Sequence, residues 1–544
     1  MDSTDNARGI GAKAELFEYT HGRWLWNDAR NRASRRRTFN EVEFRRLAAL
    51  SIGRESQDII DFRKLGEGGF NRTFMITFRD GYKLVGRIPF LTTEPRSLLV
   101  ASEVATLDFL RMHKFPVPQI FAYSTTADNS AETEYMFMEC VKGTKLGDIW
   151  DQMKNKDRNT LLTEIVEVEA RWMSLPYPES GSLYYEQDLP KKYRAFAVAA
   201  PSLSSKGDFC IGPDLTSELW YGKRIHLDTF RGPYQDSTDV LNAAGRNELE
   251  YLTRFGKSVL PLRRMRRETF DCKEQSPQDQ IKALNAYLRL AHHLVPSHNP
   301  SLLRPTLRHP DLSPNNIFVS DKYEITGFID WQHSAILPLF LHCGIPGSFQ
   351  NHGDPMSETL QMPELPLNFA ELDEREQCNE TELLKKRQTH YYYMVGTSVH
   401  NQPHLDALWD DTGNTRRRPY LHAREPWEGD AISLKADLIR VVQRWPEVVK
   451  SDSLPCPISF SDQEIQECLR LEAEQEEADS TQAALIDIVG CGQEGWVPAE
   501  HYDEALDRAK KLKEQTLGYA ESEEEREIAL QHWVMDDYDD EDYK

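Results

Sequence analysis

No stretch of this chain approaches about 18 uninterrupted apolar residues, which excludes a helical membrane span. No C-x-x-C pair occurs among the eight cysteines, so neither a zinc ribbon nor a dithiol redox site is expected. No secretory leader precedes them, and the thiols are expected to be reduced. Glycine and proline, 29 of each in 544 residues, are too ordinary for a low-complexity chain. No internal repeat with a period of roughly 20–50 residues is present, which argues against a solenoid or propeller. Positive charge is what the chain has too little of: 65 Lys and Arg face 88 Asp and Glu, a net charge of −23. The deficit is local. From Ser461 to Lys544 there are 26 acidic and 7 basic residues, so residues 1–460 are close to neutral. A polyanionic segment is repelled by phosphate backbones, and nucleic acid is not expected as a ligand. The start, Met1-Asp2-Ser3-Thr4-Asp5, is acidic. Asp2, Asp5, Glu15, Glu18 and Asp28 precede or flank the arginines at 30, 32, 35, 36 and 37, unlike an Arg-rich, acid-poor mitochondrial leader. On the residues alone the expected compartment is the cytosol.

What is there reads as two kinds of structure in succession. Residues 1–55 form an extension with aromatic anchors at Phe17, Tyr19, Trp24 and Trp26. The apolar runs Phe74–Phe78 and Lys83–Ile88 flank Asp80-Gly81, a strong hairpin signal because glycine accepts the positive φ such a turn needs. Pro95 opens a predicted helix with Leu99, Glu103, Leu107 and Leu110 at helical spacing, and Tyr135–Met138 reads as a buried strand. Beyond residue 145 the period is helical, with Leu161, Ile165, Val168 and Trp172 on one face and Ile281, Leu284, Leu288, Ala291 and Leu294 on another. Residues 175–275 read as an irregular insertion rich in Pro, Gly, Ser and aromatics. A short hairpin follows at Ile317–Val319 and Ile325–Ile329. The expectation is an α+β, two-lobed chain: an extension (1–55), a β-rich N-lobe (56–140), a helical C-lobe (141–460) with a functional loop at 307–331, and an acidic helical segment (461–544) ending in a disordered tail.

The residues that carry chemistry centre on His309-Pro310-Asp311-Leu312-Ser313-Pro314-Asn315-Asn316, followed by Ile329-Asp330-Trp331. This is H-x-D-x-x-x-x-N with a second aspartate 19 residues after the first. Phosphoryl transfer explains that selection. A carboxylate, Asp311, orients the acceptor hydroxyl and takes its proton. Hard oxygen ligands, Asn316 and Asp330, hold Mg²⁺ on the phosphates of ATP. Upstream, Gly66, Gly68 and Gly69 between two strands let backbone N–H groups approach a triphosphate. Arg87, 21 residues after Gly66, is placed to reach the α/β-phosphates, and Glu103, on the inward stripe of its helix, is expected to pair with it. His309 is expected to support the loop, Trp331 to pack beneath it, and His333 and His342 to be structural or cleft residues.

This ordered set, together with Met138-Glu139-Cys140-Val141, resembles the aminoglycoside phosphotransferase/choline-kinase family of protein-kinase-like enzymes. Leu16–Leu25, Gly86-Arg87-Ile88-Pro89, Ile329-Asp330-Trp331-Gln332 and Gly495-Trp496-Val497 resemble its fungal branch, which includes the altered-inheritance-of-mitochondria phosphotransferase-like proteins. The resemblance implies a two-lobed protein-kinase-like fold and transfer of the γ-phosphoryl group of ATP to a small-molecule hydroxyl. It also implies a mitochondrial setting, with adenine held by the Glu139 carbonyl and the Val141 amide. Two departures stand out: Arg87 occupies a position that is usually lysine, and Ser313 one that is usually a cation. They keep a second reading in view, a nucleotide-binding scaffold without turnover. A third, a protein kinase, is disfavoured by the 208 residues between Glu103 and Asp311 and by the absence of Phe-Gly after Asp330. The acceptor is expected to meet residues 180–300, with Asp214, Glu248 and Glu250 as candidate contacts.

Overall fold

A computed structural model describes residues 15–194, 198–204 and 206–544. Its N-lobe is built on a five-stranded antiparallel sheet in the spatial order Ile59–Glu67, Asn71–Phe78, Lys83–Pro89, Tyr135–Glu139, Ile120–Ser124. The Asp80-Gly81 turn forms as expected: Gly81 has φ +83° and Thr77 pairs with Lys83 across it. Phe74, Ile76, Phe78, Leu84 and Phe137 cover one face, and the helix Glu41–Ser51 closes it with Phe44 and Ala48. Gly86 is glycine for a packing reason, since a Cβ there would lie 2.8 Å from the Phe44 ring. The segment expected as an appended extension is therefore a wall of the N-lobe core.

In the C-lobe the helix Asn155–Met173 buries Leu161, Ile165, Val168 and Trp172, and the 27-residue helix Glu374–His400 packs along it. The insertion is more regular than its composition implied. Ser182–Tyr185, Gly207–Gly212 and Val198–Ser204 form a three-stranded sheet, and Ser237–Phe255 is a 19-residue helix whose N-terminus is capped by Asp236. Val240, Leu241, Ala244, Tyr251 and Leu252 give that helix its buried face, with Asn247, Gly245 and Ser237 interrupting the apolar pattern.

The C-terminal segment corrects a second expectation. Its helices, Asp462–Val489, Tyr502–Gly518 and Glu523–Gln531, are followed by a packed end rather than a disordered one. Trp533, Val534 and Met535 are buried with Trp26, Ile486 and Val489. Tyr543 is buried, and its hydroxyl donates to the Leu260 carbonyl at 2.5 Å. The acidic run has basic and backbone partners: Asp540 accepts both arms of Arg30 (2.8 and 3.0 Å), Asp536 pairs with Lys513 and Asp537 accepts the Asn27 N–H. Gly22–Trp24 pairs antiparallel with Trp496–Pro498, so the two ends of the described chain form one body. Among the described residues no helix is long and apolar enough to cross a membrane, and all eight cysteines are free.

The strands flanking the glycine loop are joined at their base by a pair with no solvent contact. Glu67 Oε1 accepts Arg72 Nε at 2.7 Å, and both side chains are 0 % exposed. Removing one partner of a buried pair strands the other charge, at a cost of about 3–5 kcal/mol. Glu67→Ala is expected to lower unfolding stability by that amount in urea titrations, with an unchanged m-value.

Candidate functional site

The functional loop is shaped by its own side chains. A tight helical turn, Pro314–Asn316, leads into the strand Ile317–Val319, which returns through Ile325–Phe328. Ile329 N–H donates to the Asn316 carbonyl (3.0 Å), which places Asp330 beside Asn316 at the mouth of the hairpin. Asn316 Nδ2 donates to the Asp311 carbonyl and to Asp311 Oδ2, both at 2.9 Å, and Ser313 Oγ lies 3.4 Å from the same carboxylate. Asp311, Asn316 and Asp330 thus gather at one place. Asp330 has φ +65°, a conformation that non-glycine residues take up only where the surroundings impose it.

His309 is held from both sides. The Ile329 carbonyl can only accept, so Nε2 carries the proton (2.9 Å); the Asp311 N–H can only donate, so Nδ1 is bare (3.1 Å). Burial keeps this imidazole neutral. Its ring lies edge-on to Trp331 at 4.5 Å, and Trp331, fully buried, meets Trp172 at 5.2 Å. Both residues support the loop, as the sequence implied.

Arg87 joins the lobes. Nη1 donates to Glu103 Oε1 (2.6 Å), while Nη2 donates to Asp330 Oδ1 (2.7 Å) and Gln332 Oε1 (2.9 Å). Asn71 Nδ2 donates to the same Gln332 Oε1 at 2.5 Å. Burial pushes the Glu103 carboxyl up to about 7, against the pull of Arg87 and with Asp330 adding to the rise. For Asp330 burial acts in the same direction, but the guanidinium outweighs it and the carboxyl lies below its ordinary value.

Two clefts flank the loop. The first, of about 380 Å³, is lined by Gly68, Gly69, Phe70, Val85, Arg87, Glu103, Met138, Glu139, Cys140, Val141 and Asp330. Gly66 does not line it; that glycine lies within its strand, opposite Thr73. The Glu139 side chain turns away to Arg111 (3.1 Å) and the Gln119 N–H (3.2 Å). Gly143 returns the linker toward the C-lobe with φ +106°, and a Cβ there would lie 2.2 Å from the Val319 carbonyl oxygen. The second cleft, of about 360 Å³, holds Asp311, Ser217, Glu218, His333, His342 and Arg424. None of the three candidate acceptor contacts lines it. Glu248 is buried in a bidentate pair with Arg224 (2.6 and 2.7 Å), Asp214 Oδ1 caps the turn at Thr216, and Glu250 pairs with Arg254 on the surface. Glu218 lines that cleft instead, 3.1 Å from Arg424 Nη2. No period or motif singled out Glu218, Arg424 or Asn71, because their partners come from distant parts of the chain. Gln332, next to Ile329-Asp330-Trp331, was visible but had no assigned role.

The profile of the phosphotransferase enzyme family matches residues 61–211 and 223–340. A subtelomeric hrmA-associated cluster protein of Aspergillus fumigatus is 30 % identical over 509 residues, 88 % of this chain and 97 % of that protein. The chain belongs to the phosphotransferase enzyme family. The chain is also similar to altered inheritance of mitochondria protein 9, mitochondrial, of Clavispora lusitaniae, at 22 % identity over 90 % of this chain and 87 % of that one. Among solved structures, a thermostable mutant of aminoglycoside phosphotransferase APH(4)-Ia is similar at 13 % identity, covering 73 % of this chain and 96 % of its own, with a TM-score of 0.32. The fold of the chain is α+β and two-lobed, as expected.

Folding lowers the His309 pKa from 6.5, so the unfolded chain binds this proton first. The contribution to stability is whole above about pH 6.5 and declines as pH falls below it. Nitrogen NMR of the folded protein at neutral pH is expected to show His309 protonated at Nε2 only.

Proposed function

We propose that this protein is a phosphotransferase that moves the γ-phosphoryl group of ATP to a hydroxyl of a small molecule. The observation that carries the reading is the meeting of Asp311, Asn316 and Asp330 between two clefts, with Arg87 and Glu103 on the opposite wall. ATP occupies the first cleft, its phosphates beneath Gly68 and Gly69 and its adenine against the linker at Glu139 and Val141. The acceptor occupies the second cleft, where Asp311 Oδ receives the hydroxyl proton and holds the oxygen in line with the phosphorus. The donor set fits Mg²⁺: Asn316 commits its NH₂ to Asp311, which turns Oδ1 the other way, and the Asp330 side chain is 44 % exposed. When bound, Mg²⁺ supplies charge neutralisation of the phosphates. Arg87, oriented by Glu103, adds a fixed positive charge on the phosphate side, and neutral His309 keeps the loop in place without exchanging protons.

The compartment proposed is the mitochondrion, on the printed names of the altered-inheritance-of-mitochondria relatives. Two observations favour a nucleotide-binding protein without turnover as the second reading. Arg87 Nη2 sits directly on Asp330, and the neutral Ser313 stands where a cation would stabilise the migrating group.

Saturating ATP with Mg²⁺, at about 100 times Kd, is expected to stabilise the protein by roughly 2.7 kcal/mol in thermal-shift assays. Asp311→Asn is expected to retain that shift and to lose about 10²–10⁴ in ATP turnover, as for removal of a general base. Equal turnover in the two proteins would exclude the enzyme and leave the binding protein.

A further inference from the structure

The glycines of the loop make it accessible to phosphate and leave it with little to hold it. A Cβ added at Gly66, Gly68 or Gly69 would meet nothing within 4 Å, so this stretch contributes no side-chain packing of its own. Ordering such a backbone over a ligand carries an entropic cost that is avoided if the loop is ordered beforehand. Its sources of order are elsewhere. At the tip, Phe70 rests 4.9 Å from the His333 ring, and its carbonyl accepts Phe90 N–H (2.9 Å) and Thr93 Oγ1 (2.5 Å). At the base, Glu67 and Arg72 face each other across the two strands, and both reach away from the sheet to the same stretch of chain.

That stretch is Leu16–Arg37. Glu67 Oε2 accepts the backbone N–H groups of Thr20 (2.7 Å) and His21 (3.2 Å), with the His21 ring nitrogen at 3.1 Å. Arg72 donates to the carbonyls of Leu16 (3.1 Å), Phe17 (2.9 Å) and Arg35 (3.2 Å). Lys64, on the same strand as Glu67, adds its ammonium to the Glu18 carbonyl (2.9 Å) and Thr20 Oγ1 (2.6 Å). The stretch is fixed in turn by the C-terminal segment. Gly22–Trp24 pairs with Trp496–Pro498, Trp496 Nε1 donates to the Tyr19 hydroxyl (2.9 Å), and the Arg23 guanidinium lies 3.7 Å from the Tyr502 ring centroid.

We infer that residues 16–37 are a brace for the glycine loop, and that Glu67, Arg72 and Lys64 are positioning residues for the triphosphate. They touch no nucleotide. They set the backbone that does, and they make both ends of the described chain part of the nucleotide site. The inference rests on the first cleft being the ATP cleft, while the order of the loop can be measured without ATP.

The test uses the full chain. Lys64→Met removes the ammonium and keeps the stem, and Thr20→Val removes one hydroxyl from an exposed residue. Arg54→Ala breaks an exposed pair with Asp80 at the far end of the same sheet and serves as the control. Hydrogen exchange without nucleotide is expected to speed up at residues 66–72 by about tenfold in Lys64→Met, less in Thr20→Val, and not in Arg54→Ala. ATP binding is expected to weaken by about tenfold in Lys64→Met, with KM for ATP rising and kcat unchanged. If exchange speeds up across the whole of Lys64→Met, that protein is merely destabilised, and Thr20→Val decides. Wild-type exchange at 66–72 in the deciding variant would overturn the brace. A wild-type protein that binds no ATP would overturn the cleft assignment, while the exchange rates would still decide the brace.

Discussion

A guanidinium presents five N–H donors in one rigid plane and accepts nothing, so burying one demands several acceptors arranged around it. The protein meets that demand at Arg87 with acceptors from both lobes. Glu103 comes from the N-lobe helix Arg96–Met112; Asp330 and Gln332 come from the C-lobe loop. The lobes are thus tied at the junction of the two clefts. The same requirement explains why the charges are unequal: one cation serves two carboxylates, and the buried Glu103 bears the consequence as an elevated pKa while Asp330 does not. A lysine ammonium could not span the three acceptors in one plane, so arginine at this position suits an architecture in which the cation also holds the lobes together.

The loop that carries Asp311 is held in a related way. Asp311 is exposed, and neutral donors rather than burial set its orientation. Asn316 and Ser313 approach its side chain, and its backbone N–H is fixed on a histidine whose tautomer is dictated by the carbonyl on its other side. Beneath lie Trp331 and Trp172, large, rigid and fully buried, so the loop rests on a surface that cannot easily rearrange.

What could be read from the residues follows from how local each determinant is. Asp80-Gly81 fixes a hairpin through one dihedral, and H-x-D-x-x-x-x-N folds on itself within eight residues, so both were legible. Glu103 was legible because helical period alone places it with Leu99 and Leu107. The acidic end was misread because charge composition says nothing of partners 500 residues away. Asp540 is neutralised by Arg30, and the aromatics between the acids supply the burial. The insertion was misread for a different reason. Its 19-residue helix carries glycine and asparagine on a buried face where a bulky neighbour, Tyr287, fills the space, so the apolar period is broken where the packing is tightest.

The N-terminal stretch shows most plainly why sequence pattern runs out. Its contacts with the loop are made by backbone carbonyls and amides, which every residue possesses, and the side chains that seek them, Glu67 and Arg72, lie in the middle of what reads as an ordinary strand and turn. A charged residue in a glycine loop is conventionally placed in solvent. Here both are wholly enclosed, and an enclosed charge must be matched by something. They match each other, their remaining donors and acceptors are met by backbone groups of the N-terminal stretch, and that stretch is fixed by the C-terminal segment. Part of the acidic segment is used in internal pairing: Asp540 with Arg30, Asp479 with Arg263 and Arg266, and Glu472 with Arg440. The near-neutral body and the acidic end are two parts of one structure, joined through the antiparallel pair Gly22–Trp24 and Trp496–Pro498.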